Sequence, residues 1–449
     1  LNTTGFALNR LANTNREAIT FRTDYQITAN QAFNVVFSYN HEINLRPDVD
    51  NGGFTTTPFG NQDANTYFIS AAHHWILSNT LTNEIRGGFQ LSDPKFDRTN
   101  QPTDFFITIP GSFVTSPEST FQKQGRNSGI YDIQDNATKA LGRHTIFFGG
   151  EAQVFRVNPY GPPAFANSTI PTLNLGTDPN SPALTPSQFP GGISSNQLTT
   201  ANNLMALLGG IISSGSQAFN ATSQTSGYVP NALPSHNLHF GDFAGYASDQ
   251  FRVTPNLILN FGLRYDLYTP VTEPNGLLLE PVYSNVNSAQ TSLLNPNGTF
   301  NFVGTNLGGH KFSNTNYKNF APSFGVAYSP NFETGLLSKI FPGSGRTVIR
   351  AGFSMSYVND EYFRSGDNAL SANAGLATTV TQTNLNSRFG SAPAFSAPPF
   401  AVPITYAQDN AIAGGFGAVF GVDPNLQVPN VKQWNFGIQR PVGWNTAVE

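Results

Sequence analysis

Along much of the chain, apolar and polar residues alternate one by one, the period that puts one class of side chain on each face of a β-strand. The run is longest where Leu257, Leu259, Phe261, Leu263, Tyr265 and Leu267 share one face and Ile258, Asn260, Gly262, Arg264, Asp266 and Tyr268 the other. The preceding segment, Tyr246 to Val253, meets this strand through Thr254-Pro255-Asn256. That is a short turn with Pro and Asn where turns favour them, so residues 246–268 are a predicted hairpin. The period recurs elsewhere. Ile19, Phe21 and Tyr25 alternate with Arg22 and Asp24, and Phe33, Val35, Phe37 and Tyr39 with Asn34 and Ser38. Leu81, Ile85 and Phe89 alternate with Glu84 and Arg86, and Ile146, Phe148 and Val154 with Glu151 and Gln153. Ile349 and Phe353 alternate with Arg350 and Ser354, and Trp434, Phe436 and Ile438 with Gln433 and Asn435.

The connections between these strands fall into two classes. Short turns are predicted near residues 28–31, 78–80, 141–143, 254–256 and 441–445, and long connections over 47–61, 92–127, 158–239, 270–316 and 359–429. A further, more apolar connection joins 330 to 345. Structureless loops beyond about 15 residues are uncommon in compact soluble domains, whereas short turns on one side and long loops on the other are the habit of transmembrane β-barrels. The predicted fold is therefore all-β, an antiparallel transmembrane barrel with long extracellular loops and short periplasmic turns. About eleven or twelve strands are legible. The long connections, rich in Asn, Ser, Thr, Gly and Pro, read as solvated surface loops, where such proteins meet ligands.

Charge placement adds direction to the pattern. Arg22, Asp24, Glu84, Arg86, Glu151, Asn260, Arg264, Asp266 and Arg350 fall on polar faces and are expected to line a lumen. Leu257, Leu259, Phe261, Leu263, Tyr265, Trp434 and Phe436 are expected to face lipid or its interfacial girdle, with Tyr39, Trp75, Tyr268 and Tyr357 also read as girdle residues. A basic side chain on the lipid face near the midplane costs about 2–4 kcal/mol, which this placement avoids. A soluble sandwich also alternates, so composition matters next. Only 11% of residues are charged, while 38 are Phe. An average soluble domain has about 25% charged residues, so much of this surface is expected not to face water. No apolar run reaches the roughly 20 residues of a spanning helix; the longest is Leu204 to Ile212. The net charge of −4 excludes an ordinary nucleic-acid binder. With no cysteine there are no disulfides, thiolate metal sites or Cys nucleophiles. The start at Leu1 lacks a signal-peptide pattern, and both ends read as cut from something longer.

Site chemistry is sparse. His73 and His74 are adjacent on a strand and point to opposite faces, so they do not chelate one metal together. Asp48, Asp50 and Asn51 lack EF-hand spacing and read as an acidic turn, as does Asp360-Glu361. The glycines from Gly414 to Gly421 do not match the dinucleotide fingerprint, and Gly343 to Thr347 lacks the lysine of a phosphate loop. No metal, cofactor or enzymatic activity is predicted.

Several segments resemble a known family. The hairpin from Tyr246 to Asp266, YASDQFRVTPNLILNFGLRYD, closely resembles a signature hairpin of TonB-dependent outer-membrane receptors, most of all the Oar-like subgroup. The stretch from Gly142 to Glu151 is similar to another of its hairpins, and Thr347 to Phe353 and Gln433 to Arg440 fit later strands, in the expected order. The resemblance implies a bacterial outer-membrane location and energised uptake of a bulky or scarce substrate. It also implies a barrel of 22 strands around a plug, and partners comprising outer-membrane lipid, a substrate not identified by any residue, and the TonB complex. No plug, TonB box or closing strand is read here, so residues 1–449 are expected to be a partial barrel. The alternatives are a passive porin, a barrel that displays its loops as an adhesin, and a secreted soluble β protein.

Overall fold

The alternating segments fold as long antiparallel strands in a computed structural model. It describes residues 7–49, 55–111, 116, 119–161, 168–282, 294–303, 313–332, 334–336, 338, 341, 347–358, 373, 375–413, 419–443 and 446–448. The first part of the chain holds β1 (Thr14–Thr28), β2 (Gln31–Leu45), β3 (Gly60–Ser78), β4 (Leu81–Ser92), β5 (Lys95–Arg98), β6 (Phe106–Thr108), β7 (Gln124–Leu141) and β8 (His144–Tyr160). Next come β9 (Thr172–Leu175), helix α1 (Ser195–Gly209), β10 (Ile211–Asn220), β11 (Val229–Pro230), β12 (Leu238–Thr254) and β13 (Leu257–Tyr268). The last part holds β14 (Leu278–Pro281), β15 (Phe300–Val303), β16 (Phe320–Tyr328), β17 (Val348–Tyr357), β18 (Ala377–Arg388), helix α2 (Tyr406–Ala413), β19 (Asn430–Gly443) and β20 (Thr446–Val448).

One large sheet carries the long strands in the order β1-β2-β3-β4-β7-β8-β12-β13-β16-β17-β19-β20, with short β5 bridging β3 and β7. It is a meander in which each strand lies beside the next long strand in sequence. The short turns near 28–31, 78–80, 141–143 and 254–256 close where predicted, while residues 444 and 445 of the turn near 441–445 lie outside the described residues. At the β7–β8 turn Gly142 takes φ +61°, a left-handed conformation that glycine adopts without steric cost. No described helix is long and apolar enough to cross a membrane.

Register carries a continuous row of apolar residues across the sheet on one face. Phe37 pairs with Phe21 and Ile69, Ile69 with Phe89, and Phe89 with Tyr131. Phe261 pairs with Phe324, Phe324 with Phe353, and Phe353 with Trp434. Rings from neighbouring strands meet at a tilt along this face, with centroids 4.9 Å apart for Tyr39–Tyr67 and for Tyr265–Phe320 and 5.5 Å for Phe261–Phe324. Such cross-strand aromatic pairs stabilise a sheet by up to about 1 kcal/mol each. Yet these residues are not covered: Phe21 is 59% exposed, Ile133 53%, Trp434 76% and Phe436 71%. A soluble monomer rarely shows a contiguous apolar patch above a few hundred Å²; this one runs the length of the sheet.

The core lies elsewhere, in the long connections, which correct the expectation of plain solvated loops. β10 from the β8–β12 connection pairs with β9 and β11 of the same connection and with β18 of the β17–β19 connection, while β6 joins β9 in parallel. β14 and β15, both from the β13–β16 connection, form a separate hairpin. Phe106, Leu173, Ile212, Phe219, Leu278, Leu279, Val303 and Ile404 are almost fully buried in this cap. Leu279 and Phe300 pack with Tyr406 of α2, tying the β14–β15 hairpin to the β17–β19 connection. The apolar run 204–212 becomes the end of α1 and the start of β10. Ser194 and Gln197 cap the helix reciprocally, and Gly210 ends it at φ +57°.

Candidate functional site

The polar face of the sheet and the cap beside its long-loop end form the candidate site. Register puts Arg22 and Asp24 of β1, Glu84 and Arg86 of β4, Glu151 of β8, Asn260, Arg264 and Asp266 of β13, and Arg350 of β17 on one face. Leu257, Leu259, Phe261, Leu263, Tyr265, Trp434 and Phe436 lie on the other.

Three groups of polar residues are brought together. Arg22 holds Asp24 through two bonds of 2.8 Å. Asn34, His74, Glu84 and Arg86 form a chain across β2, β3 and β4. Its links are 3.0 Å from Asn34 Nδ2 to His74 Nε2, 3.0 Å from His74 Nδ1 to Glu84, and 2.8 Å from Glu84 to Arg86. Arg264 of β13 donates to Asp266 at 2.8 Å and reaches Glu151 of β8 at 3.3 Å. That reach passes over β12, where Ala244 pairs with both Glu151 and Asp266; its single methyl leaves the path open. Tyr246 crosses in the same manner. Its hydroxyl donates to Asn136 Oδ1 at 2.6 Å, lying over Gly149, where an added Cβ would meet the Asp135 carbonyl oxygen at 2.2 Å and the Tyr246 ring at 2.9 Å. Asn260 and Arg350 join none of these groups, and Arg350 has no ion pair among the described residues.

Residues outside the sequence prediction complete the face. Asp132, Gln134 and Asn136 alternate with Tyr131, Ile133 and Asp135 along β7, a signal present in the chain but broken by the acid at 135. Asp132 keeps one carboxylate oxygen buried without a partner. Two acids sit on the apolar face near its short-turn end. Asp135 accepts from Asn83 Nδ2 at 2.5 Å, and Asp249 is 2.6 Å from His144 Nδ1. Each is within seven residues of a short turn (142 − 135 and 255 − 249), and each is hydrogen-bonded to its partner.

His73 and His74 do face opposite ways: His74 belongs to the polar chain, while His73 lies beside Trp75. Tyr268 departs from its girdle expectation. It pairs with Asp242 on the polar face and is buried against Val428, because the β17–β19 connection folds over that end of β13. Asp48 is clamped by Arg46 through bonds of 2.7 and 2.6 Å, which holds its carboxyl below the usual carboxylate range. Asp50, Asn51, Asp360, Glu361, the glycines at 343 and 345 and those at 414, 415 and 417 lie outside the described residues.

The cap joins the wall through a buried clasp. Glu273, fully buried, accepts from the backbone N–H of Asn237 at 3.1 Å and of Leu277 at 2.7 Å, and burial raises its pKa. Next to it His236 hydrogen-bonds to the Leu277 backbone, and burial lowers its pKa to about 4. Among the described residues no group of three His, Cys, Asp or Glu side chains is placed to hold a metal ion.

Taken as chemistry, the arrangement is a wall with charge and hydrogen-bonding capacity on one side and uncovered hydrocarbon on the other, closed over at one end by folded loops.

Comparison with known proteins agrees with this arrangement. The family model described as "Outer membrane beta barrel domain" matches residues 2–449. No curated protein matches the chain. Among solved structures, the chain is similar to the open form of the ferric-catecholate import receptor Fiu from E. coli K12, at 12% identity and a TM-score of 0.39, over 78% of this chain and 48% of that one. It is similar also to the siderophore receptor PirA from Pseudomonas aeruginosa, at 10% identity and a TM-score of 0.39, over 96% of this chain and 44% of that one. The chain thus spans less than half the length of either. The match to the family model covers nearly every residue, so the chain belongs to the outer-membrane β-barrel domain family and its place is the bacterial outer membrane.

Proposed function

We propose that residues 1–449 are the barrel portion of a TonB-dependent receptor of the Oar-like kind, which takes up a bulky or scarce substrate with energy from the TonB complex. The observation that carries this reading is the woven cap. Connections from separate hairpins pair through β10, β9, β6 and β18 into one folded unit beside the polar mouth. A passive pore for small solutes has no use for so large an ordered cap, whereas a receptor needs a fixed surface on which to select a ligand before admitting it. The signature hairpin, now β12 and β13, adds support through the resemblance of its sequence. In this reading Arg22, Asp24, Glu84, Arg86, Glu151, Asn260, Arg264, Asp266 and Arg350 line the lumen, and a plug domain meets them there. Leu257, Leu259, Phe261, Leu263, Tyr265, Trp434 and Phe436 face lipid.

The test is uptake by the parent bacterium on the substrate that the gene's deletion makes limiting. Uptake that stops when the proton gradient is collapsed or TonB is removed supports the receptor. Uptake that continues unchanged returns the passive porin, and a deletion that affects adhesion alone returns the adhesin.

A further inference from the structure

A groove of about 310 Å³ opens on the apolar face at the long-loop end of the sheet, across β3, β4, β7 and β8. Tyr67, Leu91 and Tyr131 form its lower part, and Asn127, Arg156 and Asn158 its upper rim. The polar groups here are on the outside of the wall. Gly129 pairs with Arg156 and with Leu91, and Asn127 with Asn158, in the same register class as the exposed Tyr131 and Ile133. Tyr67 and Tyr131, 40% and 41% exposed, continue the tyrosine belt begun by Tyr39.

Most of the rim is already satisfied internally. Asp93 accepts from the Asn65 backbone N–H at 2.6 Å and from its side chain at 3.3 Å. Asn65 in turn accepts from the Tyr39 hydroxyl at 2.9 Å, and Asn158 donates to Asn237 at 2.8 Å. Arg156 is the exception. Among the described residues its guanidinium makes no ion pair; it lies over the ring of Tyr131 at 5.9 Å and beside His239, its cross-strand neighbour, which offers it no negative charge. It is an exposed cation held over an aromatic face, aimed outward.

Depth says what it meets. Arg156 is twelve residues along β8 from His144 at the short turn (156 − 144). At about 3.3 Å per residue that is roughly 40 Å of strand, or about 30 Å of height at the usual tilt of 35–45°. The apolar band of such barrels is about 25 Å tall, so Arg156 sits just beyond hydrocarbon, at headgroup level, above its tyrosines.

We infer that this groove binds the phosphorylated headgroup of an outer-leaflet glycolipid. Arg156 donates to the phosphate, Asn127 serves the adjoining sugar, and the hydrocarbon chain descends over Tyr67, Leu91 and Tyr131. The inference rests on the proposed assignment of the apolar face to lipid. Arginine suits the role because its planar fork pairs bidentately with phosphate oxygens and stacks on an aromatic ring at once.

The full-length protein carrying this chain, extracted from outer membranes in neutral detergent, is titrated with diphosphoryl lipid A in mixed micelles. Bound lipid is counted by native mass spectrometry. The wild type is expected to hold one lipid A that survives millimolar inorganic phosphate, and dephosphorylated lipid A is expected to bind about tenfold more weakly. Arg156→Gln is expected to weaken diphosphoryl lipid A about tenfold and Arg156→Lys by less, while Lys139→Gln, at the other end of the same face, changes nothing. Unboiled gel mobility verifies that each variant is folded. Equal binding by Arg156→Gln, or equal binding of the dephosphorylated lipid, overturns the proposal; displacement by phosphate alone makes the site one for a free anion and overturns it too. A spin label at Ile133→Cys, with any cysteine outside the cysteine-free residues 1–449 replaced, separates the two levels of failure. A label quenched by a water-soluble relaxant and not by a lipid-soluble one defeats the facing assignment itself. A lipid-quenched label with unchanged Arg156→Gln binding defeats the groove alone.

Discussion

An arginine moved by one residue along β7 reads the facing of the wall directly. Ile133 lies on the apolar face, 53% exposed, with Gly87 and Ala152 as its cross-strand neighbours. Neither neighbour offers a partner to a new cation; Asp135, two residues along the same face and held only by the neutral Asn83 amide, offers one at the spacing of Arg22–Asp24. Arginine near the midplane of a barrel's lipid face costs about 2–4 kcal/mol, and with that partner the cost falls toward the lower end of the range. At 1.4 kcal/mol per factor of ten, Ile133→Arg lowers the folding equilibrium constant by roughly 30-fold to 700-fold. Gln134, the next residue, points the other way and pairs with Arg86 on one side and Glu151 on the other. An arginine there meets one like and one opposite charge in a solvated setting, for a net change within about 0.5 kcal/mol. The assay is reversible urea unfolding of the full-length protein in phospholipid vesicles, followed by tryptophan fluorescence. Equal costs at 133 and 134, or a larger cost at 134, would refute the assignment of the two faces.

Arg264→Met leaves the buried Asp266 without its cation and is expected to destabilise by about 1–3 kcal/mol, discounted because Arg264 itself is 43% exposed. The double variant Arg264→Met with Asp266→Leu should recover most of that loss in the same unfolding assay. His236 is held neutral by burial, with a pKa of about 4 against an ordinary 6.5, so its burial is harmless above pH 6.5. Stability of the clasp is therefore lost as pH falls from 6.5 towards 4, by up to about 3 kcal/mol. Glu273, with its raised pKa, contributes the opposite slope, weakening as pH rises. Hydrogen exchange of residues 270–282 measured against pH should steepen with acid in the native protein and flatten in His236→Phe. Ile404→Ala, at a position with no exposure, is expected to cost about 2–5 kcal/mol of cap packing. It should release exchange protection in β10 and β18 while β8 and β12 keep theirs.

The strands were legible because lipid on one side and polar surroundings on the other impose the same period on every segment. Leu257 to Tyr268 shows it without a break, and the short turns follow from Pro255, Asn256 and Gly142. The cap was not legible for an equally physical reason. Ile211–Asn220 is buried on both faces and so carries no alternation, and its main partner, Ala377–Arg388, lies far along the chain. Composition misled there as well, since Asn, Ser and Thr in β9, β10 and β18 serve the ladder rather than solvent. Within the polar face, the pairs Arg22–Asp24 and Arg264–Asp266 could be read from their i, i+2 spacing on one strand face. Glu151 with Arg264, and Tyr246 with Asn136, could not: each reaches over an intervening Ala or Gly, and only register reveals which small residue lies between.

The ladder between β10 and β18 sets the order in which the molecule must assemble. Ser214 pairs with Thr383, 169 positions later (383 − 214), and between them in the chain lie β12, β13, β16 and β17. Pairings so distant form late, because the entropy of closing the intervening loop must be met before any contact rewards it. Insertion of four wall strands brings the two partners within reach, so the cap knits only once that part of the wall stands. Until then β10 offers an unpaired edge outside the membrane, the interval in which this chain most needs protection from wrong pairing.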